Sequence, residues 1–353
     1  MDDFEPDVIF VGDLHLHERS EFPAPIGENP RLLDGLSILD QITELIKLHS
    51  IKYVIFTGDL FELKDNIPNH LLVPFATKIE LMLVQGVEVI SLQGNHDFKI
   101  PEYTTIGIFP SVKLKRTVDS DLLLGRTMTR TILYIPFRRK KEEFKDVWIT
   151  CHKLDPHPDI ILFHNELPGV RYSDKMRVPR DWDFPTFPGT LYIGGHIHKS
   201  QILTSNNNLV YFIGTPYPID FDDVQKGATR NHILLYDIEQ NRTKKYELDY
   251  PRFVELNLND TKFVSVKGNY VRVVGTVQPQ ERSGIKEMKE RLLNLGAKGV
   301  QLKVKYLTES VARIKTEKTD HHGVIRQFLD GSDTELDKDL LLTTGLEIMG
   351  KVK

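Results

Sequence analysis

The chain has 353 residues, 40% apolar and 27% charged, with a formal net charge of −4. It is long enough for a large core in two or three domains, and its slight acidity argues against indiscriminate binding to polyanions. The lone cysteine, Cys151, excludes an intrachain disulfide framework and fits a reducing compartment. No apolar run reaches the ~18–20 residues of a membrane span, and the acidic start Met1-Asp2-Asp3-Phe4-Glu5 lacks the features of a signal peptide. A soluble, cytoplasmic protein without membrane partners is expected.

Along the chain, Val8-Ile9-Phe10-Val11 reads as a buried strand ending in Gly12-Asp13-Leu14-His15-Leu16-His17. Apolar residues at helical spacing from Arg31 to His49 predict an amphipathic helix. Tyr53–Thr57 predicts the next strand, closed by Gly58-Asp59-Leu60-Phe61. A helix over about 69–84 and the strand Val87–Leu92 lead into Gly94-Asn95-His96-Asp97. Repeated strand, loop and helix indicate an α/β layout with a helix-covered sheet. Beyond Pro101 short strands are expected at Leu122–Leu124, Thr131–Ile135, Val147–Thr150 and Ile160–Phe163, the last running into His164. A charged, Pro-rich loop over 168–189 precedes the strand Leu191–Gly194 and Gly195-His196-Ile197-His198. Further strands are expected at Ile202–Thr204, Val210–Ile213 and His232–Tyr236.

Pro251 marks the expected end of a first domain, residues 1–250. A β-α-β module follows over 251–320, with a strand at 270–277, a helix at 283–295 and a strand at 299–306. The tail, 321–353, reads as two amphipathic helices. Val324, Ile325, Phe328 and Leu329 form one apolar face, and Leu336, Leu340, Leu341, Leu342, Leu346 and Ile348 the other. Such faces must be buried, on their own domain or on a partner.

The polar residues at strand ends are Asp13, His15, Asp59, Asn95, His96, His164, His196 and His198. Side chains at the carboxyl ends of neighbouring strands converge on one crevice. Mixed nitrogen and oxygen donors without thiolate suit Mn²⁺, Fe²⁺, Zn²⁺ or Mg²⁺. There are too many donors for one ion, so two ions about 3.5–4 Å apart, sharing a carboxylate, account for them. Taken singly, a Gly-Asp after a strand is usually a turn and a strand-end histidine usually structural; five such clusters in order are hard to explain that way.

These five blocks resemble the signature of calcineurin-like metallophosphoesterases, over roughly residues 7–240. The resemblance implies a metallophosphoesterase β-sandwich flanked by helices, followed by a small α+β capping domain and a helical tail. It also implies one ion held by Asp13, His15, Asp59 and His198, and a second by Asp59, Asn95, His164 and His196. His96 would be catalytic and Asp97 would orient it. Gly58-Asp59-Leu60-Phe61 and Ile213-Gly214-Thr215-Pro216 are similar to the SbcD family of double-strand-break repair nucleases and their phage relatives. That likeness implies two divalent ions, most readily Mn²⁺ with Mg²⁺ as the alternative. It further implies DNA as substrate, an SbcC-like ABC/SMC-type ATPase partner on the C-terminal helices, and a homodimer located in the cytoplasm, the host's if the source is a virus. Glu62 departs from the pattern, since that family commonly has a second catalytic histidine there; either His17 or a basic loop residue compensates, or the nuclease is altered in rate or preference.

For DNA contact the candidates are Arg138 and Arg139, and Arg171, Lys175, Arg177 and Arg180 in the loop between two ligand blocks, with Lys113, Lys115 and Arg116 as a further basic group. Such runs are more often solvated faces. A small-molecule or nucleotide phosphodiesterase on the same core, or a catalytically silent scaffold, are the alternatives to a DNA nuclease. Cys151 beside His152 reads as a buried, inert thiol.

Overall fold

In the computed structural model the described residues are 4–100, 103–104, 107, 109–173, 175–221, 231–260, 265–278, 282–307, 321–333 and 336–350. Strands β1 (Val8–Val11), β2 (Tyr53–Phe56) and β3 (Glu88–Leu92) are parallel neighbours. After a short hairpin of β4 (Phe98–Ile100) and β5 (Tyr103–Thr104), β6 (Lys113–Lys115) joins them, also in parallel. The other edge is closed by β13 (His232–Asp237), antiparallel to β1 with Val8 opposite Tyr236, and by β14 (Arg242–Glu247). A second six-stranded sheet contains β7 (Asp119–Leu124), β8 (Thr129–Ile135), β9 (Ile160–Phe163), β10 (Leu191–Gly194), β11 (Gln201–Ser205) and β12 (Asn208–Phe212). Its order is β11-β12-β10-β9-β8-β7, with β8, β9, β10 and β12 parallel.

Strand alternation builds the layers. Val8, Phe10, Ile55 and Ile90 of the first sheet meet Ile132, Tyr134, Leu162 and Ile193 of the second in a core between the sheets. The intervening residues Ile9, Val11, Val54 and Phe56 pack outward on helices α1 (Pro30–His49) and α2 (Asn69–Leu83). On the far side, Leu133, Ile135, Ile161 and Phe163 pack on α3 (Lys141–Cys151). This is the expected α/β sandwich flanked by helices. The central strands are apolar on both faces, so the polar residues that follow them are pushed to the strand ends.

The expected strand Val147–Thr150 is instead the second half of α3. Its β-branched residues favour a strand locally, but Phe144, Trp148 and Cys151 at helical spacing bury one face, and Glu142 and Glu143 in the first turn suit a helix N-terminus. Strand β14 went unpredicted because its polar, largely exposed sequence Arg-Thr-Lys-Lys-Tyr-Glu is that of a charged sheet edge. Cys151 is buried, and burial raises its thiol, as befits an inert side chain.

Past Pro251, β15 (Phe253–Asn257), β16 (Tyr270–Val277), α4 (Arg282–Asn294) and β17 (Gly299–Tyr306) form a β-α-β module with sheet order β15-β16-β17. Residues 1–274 and 288–303 make one compact unit; 275–287 and 304–353 make another. Within the first, Asp34 of α1 accepts hydrogen bonds from Arg31 Nη1 at 2.8 Å, Tyr270 Oη at 2.6 Å and Lys298 Nζ at 2.6 Å. The Arg31 guanidinium carbon lies 5.0 Å from each of the Tyr217, Phe253 and Tyr270 ring centres. Within the second, α5 (His321–Asp330) and α6 (Lys338–Gly350) pack together; Leu329 and Leu342 are buried, while Phe328, Leu336 and Leu340 are exposed. The side chains of Val324, Leu346 and Ile348 lie outside the described residues. No helix among the described residues is long and apolar enough to cross a membrane.

The charge network on α1 gives a direct stability test. Asp34→Ala leaves the buried Arg31 without its carboxylate, an expected loss of about 3–5 kcal/mol. Urea unfolding measures it, and a loss under about 1 kcal/mol, the range of an exposed pair, would show that the aromatic rings and the Pro218 carbonyl suffice to hold Arg31.

Candidate metal centre

Each chemical residue sits just past a parallel strand: Asp13 and His15 after β1, Asp59 after β2, Asn95 and His96 after β3, His164 after β9, and His196 and His198 after β10. Both sheets therefore deliver their carboxyl ends to one rim. The turns are tight. His15, Asp59 and His196 have φ of 44°, 51° and 73°, a left-handed backbone that side chains seldom adopt outside functional loops. Gly94 and Gly195 make room: a Cβ on Gly94 would fall 2.2 Å from Asp59 Oδ1, and one on Gly195 2.7 Å from Asp13 Oδ1.

Two donor groups result. Asp13, His15 and His198 form one; Asp59, His164 and His196 form the other, with ligand atoms within 4.8 Å of one another in each. Asp59 lies between them. Its Oδ2 is 3.3 Å from His164 Nε2 and 3.6 Å from His15 Nε2, and its Oδ1 accepts the His96 N–H at 2.7 Å. Asn95 Oδ1 is 2.7 Å from His196 Nδ1 and 3.1 Å from His164 Nε2. A third group, His15, Asp59 and His96, brings His96 to the same place.

The surroundings aim these atoms. His164 Nδ1 donates to the Thr57 carbonyl at 2.7 Å, which fixes the tautomer and turns Nε2 to the centre. The Thr57 hydroxyl donates to Asp13 Oδ1 at 3.0 Å. Asp97 braces the ligand turns. Its carboxylate accepts the N–H groups of Asp59 (2.8 Å), Gly94 (2.7 Å) and Leu60 (3.0 Å), tying two ligand turns together. The ring of His96 is held through Nδ1 by the Glu62 carbonyl at 2.7 Å. The main chain thus takes part in orienting His96.

Glu62 also has a role that the sequence left open. Its Oε2 lies 2.9 Å from His15 Nδ1, somewhat off the N–H line, behind the imidazole whose Nε2 faces the centre. Contact with His15 lowers the Glu62 carboxyl to about 2. His17 cannot stand in for a phosphate-facing histidine. It is buried, its Nδ1 donates to the His15 carbonyl, and burial, aided by the charge of Arg31, lowers it to about 3. Phe137, which no motif marked, lays its ring 5.7 Å from that of His196 and 6.2 Å from that of His164. Tyr172 Oη reaches within 3.3 Å of His196 Nε2.

The basic candidates separate. Arg138 and Arg139 line a hollow that includes His196. Arg171 and Arg177 are bridged across the exposed loop that carries Tyr172, with Lys175 at its tip. Arg180 lies against Gly169 and lines another cavity, with Trp182 and Phe184, containing none of the ligand residues.

The donor set fits divalent cations. Asp13 Oδ2 is buried without a hydrogen-bond partner, and the Nε2 atoms of His15 and His198 face each other at 3.0 Å. Burial acts to raise Asp59, but the imidazoles of His164, His15 and His96 outweigh it and hold the carboxyl low. Burial acts to lower His164, yet the carboxylates of Asp59 and Asp13 raise it to about 9. A buried, partly orphaned anionic set of this kind calls for positive charge. The sequence matches the family model of calcineurin-like phosphoesterases over residues 6–200.

The chain belongs to the calcineurin-like phosphoesterase family. Divalent metal ions are the cofactors of that family, and the fold is its α/β sandwich. No curated protein matches the chain. Among solved structures, one described as a novel archaeal phosphodiesterase is similar at 11% identity and a TM-score of 0.36, covering 68% of this chain and 99% of its own. As a phosphoesterase the chain would hold one ion with Asp13, His15, Asp59 and His198 and another with Asp59, Asn95, His164 and His196.

Carboxylates behind a ligating imidazole raise its basicity, and their removal usually weakens metal binding about 10–100-fold. Glu62→Gln is expected to show that loss in a calorimetric Mn²⁺ titration. Unchanged affinity would reduce Glu62 to a surface charge.

Proposed function

We propose that this phosphoesterase is a metal-dependent DNA nuclease, the nuclease subunit of an SbcD/SbcC-type end-processing complex. The observation that carries the reading is the pair of donor groups meeting at Asp59, with His96 beside them and Arg138 and Arg139 opening from the same rim. When bound, divalent ions supply charge to polarise phosphoryl oxygens and acidify water. His96 works from the protein side. The Glu62 carbonyl can only accept, so Nδ1 keeps its hydrogen and Nε2 is left for the reaction. Protonated there, the ring donates to the departing 3′ oxygen of a backbone phosphodiester. Asn95 holds His164 and His196 in place, and Asp97 keeps the turns carrying Asp59 and Asn95 at a fixed separation. The arginines beside the rim would neutralise flanking phosphates.

In this reading the β-α-β module past Pro251 caps DNA, and α5 and α6 dock on an ABC/SMC-type ATPase through the exposed Phe328, Leu336 and Leu340. Helices α1 and α2 leave Leu33, Leu48, Val73 and Leu81 exposed, as is Val84 just past α2, which is compatible with a homodimer.

The deciding experiment is Mn²⁺-dependent digestion of linear duplex DNA, with a bis-nitrophenyl phosphate assayed in parallel. Digestion should vanish on chelation and in Asp59→Ala. Cleavage of the small diester alone would favour the small-molecule phosphodiesterase reading. His96→Asn should retain metal and DNA while hydrolysis falls about 10²–10⁴-fold. Undiminished turnover in that variant would remove His96 from the reaction.

A further inference from the structure

Two hollows beside the centre share one wall. The smaller, about 170 Å³, is bounded by Phe137, Arg138, Arg139 and His196. The larger, about 440 Å³, is lined by Phe98, Arg116, Phe137, Arg138 and Arg139, with the paired Lys140 and Glu143 also on its wall. The wall is fixed by the main chain on both sides. Phe137 N–H donates to the Gln93 carbonyl at 3.0 Å, two residues before Asn95. Asn165, next to His164, binds both the N–H and the carbonyl of Arg138 at 3.0 Å. The hollow is therefore held in register with the candidate ligands.

Its charges differ from those of an ordinary solvated run. Lys140 is paired with Glu143 at 3.1 Å, Lys141 with Asp181, and Lys115 with Asp119 and Asp121. Among the described residues, Arg116, Arg138 and Arg139 have no carboxylate within ion-pair distance, although they lie beside a centre rich in acids. The Arg139 guanidinium carbon lies 5.4 Å over the Phe98 ring, and Phe98 and Phe137 are 6.4 Å apart. Guanidinium planes and aromatic faces accept a nucleobase of any identity, and arginines accept phosphate.

We infer that this hollow is a subsite for one unpaired nucleotide next to the scissile phosphate of a polynucleotide strand. The inference rests on the phosphodiesterase reading above. The larger hollow, about 440 Å³, falls within the ~300–1,000 Å³ of small-ligand sites. A paired base would bring its partner strand with it, for which such a hollow has no room. Arg116 and Arg139 then take the flanking phosphate, and the base lies against the half-buried Phe137 and the Arg139 guanidinium, which itself covers the buried Phe98.

The test uses the full chain in chelator, so that nothing is cleaved, and a 12-nucleotide single strand carrying 2-aminopurine, whose fluorescence is quenched on stacking. The double variant Arg116→Gln, Arg139→Gln should bind this strand about tenfold more weakly and lower the salt slope of log K by about 0.7 for each arginine. A blunt 12-base-pair duplex should quench little, and inorganic phosphate should compete poorly. Phe137→Leu should lose the quench while keeping the slope; because Phe137 also packs on His196, this variant is read alongside its unfolding midpoint, whereas the arginine pair, both exposed, needs no such condition. Unchanged affinity and slope in the double variant would overturn the subsite, as would phosphate competing as well as the strand. Wild-type hydrolysis of the bis-nitrophenyl phosphate in Mn²⁺ is scored separately. Failure there sinks the phosphodiesterase reading, while unaltered strand binding by the double variant of an active protein sinks only the subsite.

Discussion

The carboxylate of Asp59 has to serve two donor groups at once, and the loops around it are shaped by that demand. Burying a carboxylate is unfavourable unless its oxygens are matched, and both of its oxygens are engaged, one by imidazoles from both sheets and one by the N–H of His96. Reaching both sides takes a backbone in the left-handed region. The distortion persists because Asp97 gathers the N–H groups of Asp59, Leu60 and Gly94. Burial, together with the Asp59 charge, raises Asp97 to about 7 against these three donors. A second buried acid beside the first is thus part of the cost of the turn.

Much of this arrangement was readable in the residues. The apolar runs at Val8, Tyr53, Ile160 and Leu191 are strands buried on both faces, and each ends in the polar residue that reaches the rim. Continuous burial makes such runs unambiguous, and the polar residues after them have few other places to go. Local propensity misled at Val147–Thr150, where packing of Phe144 and Trp148 on the second sheet prevailed. Longer-range partners were not readable. Nothing in the spacing of Glu62 or Asp97 tells which atom each will face, because His15 and Glu62 meet only when β1 and β2 align. Phe137 belongs to no motif and reaches the imidazoles through a main-chain hydrogen bond to Gln93.

Charge around the rim is divided by function. On one side, acids stand behind or among the imidazoles: Glu62 behind His15, Asp13 and Asp59 within the donor groups. On the other, Arg116, Arg138 and Arg139 have no carboxylate partner among the described residues, and the Arg138 and Arg139 guanidiniums donate to the Phe137 and Lys99 carbonyls. A sheet-end centre gathers carboxylates of its own, so an incoming phosphate meets repulsion unless cations lie beside it. The main-chain clamp of Asn165 on Arg138 keeps one such cation in register with His164.

The antiparallel pairing of β1 with β13 has a consequence for biosynthesis. Near their meeting point, the Ile238 N–H donates to the Asp7 carboxylate across 231 positions of sequence. At ribosomal rates of about 5–20 residues per second, the outer edge of β1 waits roughly 10–50 s for its partner to be made. During that wait an apolar strand with an open hydrogen-bonding edge is available to any other nascent chain. The first sheet, which supplies Asp13, His15, Asp59 and Asn95, is closed on that side only when β13 has been synthesised.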